Sequence, residues 1–154
     1  MTVFISDEQD EPLDLETLRT IAEGVLDAER LPEGTEVAVM LVPPDQMAEY
    51  NRRFMEREGP TDVLAFPVLD LEPGSLPRPV ANEPPLVLGD VFLCPDEIVR
   101  RAQAERIDDT AFLELLLVHG ILHLLGYDHS DERSARRMEE REEQILVSLG
   151  RELP

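Results

Sequence analysis

HGILHLLGYDH, residues 119–129, closes the longest apolar run of the chain and carries all three of its histidines, at offsets of zero, four and ten. Residues 111–125 are interrupted by Glu114 and His119, and a nearly all-apolar helix capped by Thr110 over this run has to be buried. Residues four apart on a helix project from one face about one turn apart, which aims the His119 and His123 imidazoles the same way. Gly126 lets the chain leave the helix through a left-handed residue. The turn Tyr127-Asp128 can then bring His129 back towards the other two. The fold has to be built around this buried helix.

Working outward, VFIS (3–6), TEVAVMLVP (35–43), DVLAFPV (62–68) and PLVLGDVFLC (85–94) read as strands rich in β-branched residues. Asp14 caps a helix to about Glu29, in which Leu15, Leu18, Ala22, Val25 and Leu26 recur at helical spacing. Pro44 and Pro95 open helices to about Arg53 and Arg106. SDERSARRMEEREEQILVSLG (130–150) forms the last helix, with Ala135, Met138, Ile145 and Leu149 on its inner side. LDLEPGSLPRPVANEP (69–84) is proline-rich and aperiodic, and reads as a mobile loop. Helices gather after the strands, so the expected class is α+β. A mostly antiparallel or mixed sheet of about four strands packs against several helices, with the histidine-bearing helix buried, in one domain over 1–154.

The charge narrows the classes. With 154 residues, 42% apolar and a net charge of −20, the chain can bury a core but offers no extended basic groove for nucleic acid. All fourteen cations are arginines, several of them clustered: Arg52, Arg53 and Arg57; Arg100, Arg101 and Arg106; Arg133, Arg136, Arg137 and Arg141. Genome composition accounts for missing lysines, and so does phosphate recognition, for which arginine is the better fork. The single cysteine, Cys94, excludes an intrachain disulfide and a multi-cysteine zinc site and suits the cytoplasm. MTVFISDEQDEP (1–12) turns acidic too early for a signal peptide, and the run at 111–125 is too short to span a bilayer, so no membrane is expected.

Three histidine nitrogens with a fourth position left to water describe a catalytic rather than a structural Zn²⁺ site. Such an ion lowers the pKa of bound water towards neutrality. Leaving three imidazoles unpaired in an apolar setting would be costly, so His119, His123 and His129 are read as the ligands of one zinc ion per chain. The metzincin protease signature HExxHxxGxxH has the same offsets. Its general-base glutamate falls at Gly120, however, which accepts no proton, and peptide hydrolysis by that route is disfavoured.

HGILHLLGYDH resembles the HGxLHLxGYDH signature of the YbeY-type endoribonucleases, bacterial rRNA maturation factors. PTDVLAFP (60–67) is similar to that family's PTDVLSFP, with Asn51 at the matching upstream spacing, and LGDVFLCP (88–95) resembles its third block. The resemblance implies a zinc-dependent, single-strand-specific endoribonuclease acting in 16S rRNA 3′-end maturation and late 70S ribosome quality control. It implies a cytoplasmic protein whose partners are single-stranded ribosomal RNA and the ribosome or its small-subunit proteins, with His119, His123 and His129 carried over as metal ligands. Two positions depart from the pattern: Met55 stands where many members have arginine, and Ala65 where serine is usual. Any phosphate role of that arginine then passes to Arg52, Arg53 or Arg57, or is absent.

The remaining polar residues leave alternatives open. Asp128 orients a ligand histidine or shapes the turn. Asp62 and Asp90 face the site or serve strand ends; Thr61 is a turn residue. Cys94 reads as a small buried hydrophobe, and the arginines of the last helix as a solvated face paired with glutamates such as Glu132 and Glu140. No residue stands out as the general base. Two other classes suit the chain: a different metal-dependent hydrolase, and a non-catalytic, zinc-stabilised assembly factor whose acidic body contacts basic ribosomal proteins.

Overall fold

The computed structural model of the protein describes residues 1–75 and 84–154. β1 (Thr2–Asp7) leads through α1 (Leu15–Ala28) to β2 (Thr35–Leu41), and α2 (Pro44–Met55) leads to β3 (Val63–Pro67). β4 (Leu86–Leu93) is followed by α3 (Pro95–Glu105), α4 (Asp109–Leu124) and α5 (Glu132–Ser148). The strands form one sheet in the order β1-β2-β4-β3. β1 and β4 both run parallel to β2, and only β3 is antiparallel, to β4. The α+β sheet of four strands is thus as expected, and of the two alternatives it is the mixed one. Parallel neighbours need a crossover connection, which α1 supplies between β1 and β2. The mobile loop expected over 69–84 lies partly outside the described residues.

Strict alternation along β2 sends Val37, Val39 and Leu41 into the main core, while Met40 on the other face packs on a smaller cluster. In β4 the pattern changes parity, from Leu86 and Leu88 to Val91 and Leu93. The cause is a register shift opposite Glu36 and Ala38, where Gly89 takes φ +135°. That backbone conformation is reserved for glycine.

α4 lies in the middle, touching α1, α3, α5, β3 and β4. Leu117, Ile121, Leu122 and Leu124 are fully buried along it. Each such side chain contributes about 1.5–3 kcal/mol, so burial on all sides, not an amphipathic stripe, holds this helix. Its cap is Asp108 rather than the expected Thr110: the Asp108 carboxylate accepts from the Ala111 N–H at 2.8 Å. An aspartate two residues upstream thus fixes the first turn, and Thr110 falls inside it. Asp14 caps α1 as expected, accepting from Thr17 N–H at 3.1 Å. On the opposite face of the sheet, Met47 of α2 packs with Val42, Leu64 and Cys94, and Tyr50 lies against them. Cys94 is fully buried there, the small apolar residue the sequence suggested, and burial pushes its thiol pKa up.

Candidate metal centre

α4 ends in a closed hydrogen-bonded turn. The Gly126 N–H donates to the His123 carbonyl and the Tyr127 N–H to the Leu122 carbonyl, each at 3.1 Å. Gly126 sits at φ +98°, the left-handed exit that such a C-terminal motif requires. Tyr127 is then buried, its hydroxyl 3.3 Å from the Glu29 carboxylate, which anchors the turn against α1. Asp128 accepts from the N–H and hydroxyl of Ser130. It therefore shapes the turn; the alternative of orienting a histidine is not realised. These contacts hold the pKa of the exposed Asp128 carboxyl below its ordinary value.

The turn brings the three imidazoles together. His119 Nε2 and His123 Nε2 are 3.1 Å apart. The His129 ring stacks at 5.8 Å over that of His119 and meets His123 edge-on at 5.1 Å. One nitrogen from each ring lies within 4.8 Å of the others, so the cluster could hold a metal ion. Burial, then the neighbouring His119 and His129, lower the His123 pKa to about 4. The ring is therefore neutral at physiological pH, which is the form a metal ion binds. On its far side His119 Nδ1 lies 2.6 Å from Glu142 Oε1, while its Nε2 faces the cluster. Three nitrogen donors, the neutral His123 ring among them, and one carboxylate behind His119 fit a divalent transition metal.

The histidines form one wall of a cleft of about 440 Å³. Its other wall comes from the end of α2, the α2–β3 connection and β3: Asn51, Met55, Arg57, Thr61, Asp62 and the strand to Pro67. Asn51 is buried and shapes this wall. Its amide donates to the Gly59 carbonyl at 2.8 Å, and its own carbonyl accepts from the Arg57 N–H at 3.3 Å. Of the arginines suggested for phosphate, only Arg57 lines the cleft. Arg52 is paired with Glu49 at 2.8 Å, and the Arg53 guanidinium lies 5.3 Å above the Phe54 ring.

Asp62 faces the cleft but is committed: it accepts from the Val63 N–H and pairs with Arg101 of α3. It is the only carboxylate among the described residues of the lining. Asp90 is exposed on β4 and does not line the cleft. On α5, Arg136 stays within reach of Glu132 at 3.6 Å as expected, but Arg141 instead crosses to Glu29 at 2.6 Å. Gly120, where a metzincin would carry its base, faces the sheet: a Cβ there would stand 2.6 Å from Val91 Cγ1. Glu142 escaped the sequence reading, which placed the charged residues of this helix on a solvated face. The signal was its spacing between Met138 and Ile145 on the buried stripe of α5.

The sequence model of the family described as Endoribonuclease YbeY matches residues 4–150. The chain belongs to the Endoribonuclease YbeY family. A YbeY endoribonuclease of Nocardioides sp. is 39% identical over 150 residues, spanning 96% of this chain and 97% of its own. That of Thermobifida fusca is 38% identical over 153 residues, at 99% and 97% of the two chains. The solution structure of the Thermotoga maritima protein TM1509 superposes with a TM-score of 0.62 at 26% identity, covering 96% of this chain and 91% of that one. Met55 and Ala65, the two departures from the YbeY motifs, both line the cleft beside the histidines. Among the described residues no helix is long and apolar enough to cross a membrane.

Proposed function

We propose that residues 1–154 act as one metal-dependent endoribonuclease domain, in which His119, His123 and His129 hold a single Zn²⁺ and single-stranded ribosomal RNA is cut. The observation that carries this reading is the convergence of three imidazole nitrogens within 4.8 Å on the wall of an open cleft, in a chain of the YbeY family. Zinc at such a site supplies a Lewis acid and an activated water. The chain supplies the rest. Burial keeps His123 neutral at physiological pH, ready to ligate. Arg57, which makes no ion pair with any described residue, offers the cleft a charge for a phosphodiester oxygen. Asp62 is tied to Arg101 and is unsuited to act as base.

The family resemblance supports 16S rRNA 3′-end maturation and late 70S quality control in the cytoplasm as the setting. The net charge of −20 suits contact with basic small-subunit ribosomal proteins. Gly120, packed against Val91, removes the position a metzincin base would need and so speaks against a peptidase.

Metal analysis coupled to cleavage of an rRNA fragment, wild type against His123→Ala, tests the proposal. Zinc near one equivalent with cleavage in the wild type, both lost in the variant, is the expected result. Metal-loaded wild type that leaves RNA intact while binding ribosomes would favour the non-catalytic assembly factor.

A further inference from the structure

Among the described residues, four acidic side chains are buried beside an identifiable partner at more than one turn's remove: Glu29, Asp62, Glu114 and Glu142. Three of them face arginine. Glu29 pairs with Arg141, Asp62 with Arg101, and Glu114 with Arg151 through two bonds of 2.8 and 2.7 Å. Among the described residues no arginine pairs with Glu142. Its recorded partner is His119 Nδ1, at 2.6 Å.

A buried carboxylate without a compensating charge is strongly destabilising. The position makes this sharper, because Met138, Glu142 and Ile145 share the buried stripe of α5, where an apolar residue would pack at no electrostatic cost. The contact with His119 Nδ1 engages one oxygen of the carboxylate. A divalent ion on the far side of the same ring would satisfy the charge. The two ring nitrogens of His119 are divided accordingly: Nδ1 towards Glu142, Nε2 towards His123 Nε2 at 3.1 Å.

We propose that Glu142 is a positioning residue of the metal centre. Resting on the reading of the histidines as a metal site, the inference is that Glu142 accepts the Nδ1–H of His119. It thereby fixes the tautomer that presents Nε2, and it places a buried negative charge behind the ion. It also ties α5 to the site, so that the last helix and the ion are held by the same ring. Carboxylates in this position raise the basicity of a ligand histidine, and their removal commonly lowers metal affinity 10–100-fold.

Three variants test it: Glu142→Gln, Glu142→Ala and Glu142→Leu. Zinc affinity is read by competition with a chelator, and the His119 tautomer by ¹⁵N NMR of the metal-free protein at pH 8. Glu142→Ala and Glu142→Leu should each bind zinc about 10–100-fold more weakly and lose the preference for the Nδ1–H form. Glu142→Gln, whose amide oxygen still accepts, should retain that tautomer with a smaller loss of affinity. A role in packing alone predicts the reverse for Glu142→Leu, which fills the space with apolar atoms: a stable fold and wild-type zinc binding. Wild type that binds zinc beside an unaffected Glu142→Leu overturns the proposal alone. Wild type that takes up no zinc overturns the metal reading and the proposal with it.

Discussion

The carbonyl oxygen of Leu71 lies 2.0 Å from where a Cβ on Gly126 would stand. The segment after β3 is therefore laid directly across the turn that swings His129 back to His119 and His123, and it can lie there only over a glycine. At φ +98° that residue is also in the left-handed region.

Gly126→Ala should accordingly be among the most damaging single-methyl changes in the chain. Left-handed strain of about 1 kcal/mol or more adds to a collision with backbone, which cannot rotate away. We expect a loss of at least about 2 kcal/mol in urea unfolding, with weaker zinc binding as His129 shifts. Unchanged stability and zinc affinity would show that the turn has room the geometry denies.

The pH dependence of the metal-free protein follows from His123. Its folded pKa of about 4 lies below the ordinary value of 6.5, so between these values the unfolded chain binds more protons than the folded one. Stability then rises with pH across that window and is lost as pH falls from about 6.5 towards 4. At about 1.4 kcal/mol per pKa unit, discounted for the solvent that still reaches the ring, the expected contribution is on the order of 2 kcal/mol. Urea midpoints of metal-free wild type and His123→Asn, measured from pH 4 to 7, should converge at the acid end. Parallel curves would contradict a buried, neutral His123.

Gly120→Glu rebuilds the metzincin signature on paper but not in space. The new side chain would start 2.6 Å from Val91 Cγ1, between α4 and the sheet, and would carry a charge into the core. We expect a poorly folded protein with no casein hydrolysis. Gly120→Ala should itself cost about 1–3 kcal/mol through overpacking. A stable, proteolytic Gly120→Glu variant would mean that α4 can turn this face towards the cleft.

What could be read in advance was local. α4 announced itself because a helix packed on all sides must be apolar on all sides, and the ligand spacing followed from its geometry and the break at Gly126. Strand direction was not readable, since alternation of side chains is the same in parallel and antiparallel pairs. The Thr110 cap was displaced because Asp108, two residues earlier, offers the stronger acceptor. The outer parts of the site come from long-range pairing: Arg101 reaches Asp62 across 39 residues, and Glu142 reaches His119 across 23. A glutamate in the charged run EEREE (139–143) looks solvated until the packing of α5 is known. The arginine trio read from its clustering was likewise divided by structure, because α2 turns Arg52 and Arg53 away and only its exit loop turns Arg57 inward.

That division predicts how so acidic a protein holds a polyanion. With a net charge of −20 the general surface repels RNA, and Arg57 is the one arginine lining the described part of the cleft. Arg57→Gln should weaken RNA binding and cleavage about tenfold, in line with loss of one charge-assisted contact of about 1.5 kcal/mol. Zinc content should be unchanged, because the Arg57 side chain is not among the clustered ligands. Arg52→Gln and Arg53→Gln, whose side chains are occupied by Glu49 and Phe54, should change little. The salt dependence should be shallow: one or two neutralised phosphates on a single strand give a log–log slope of roughly −0.7 to −1.4. The shallow hollow lined by Arg133, Arg136 and Arg137 on α5 is the competing contact surface. A slope several-fold steeper, abolished by replacing those three and untouched by Arg57→Gln, would move the RNA path there.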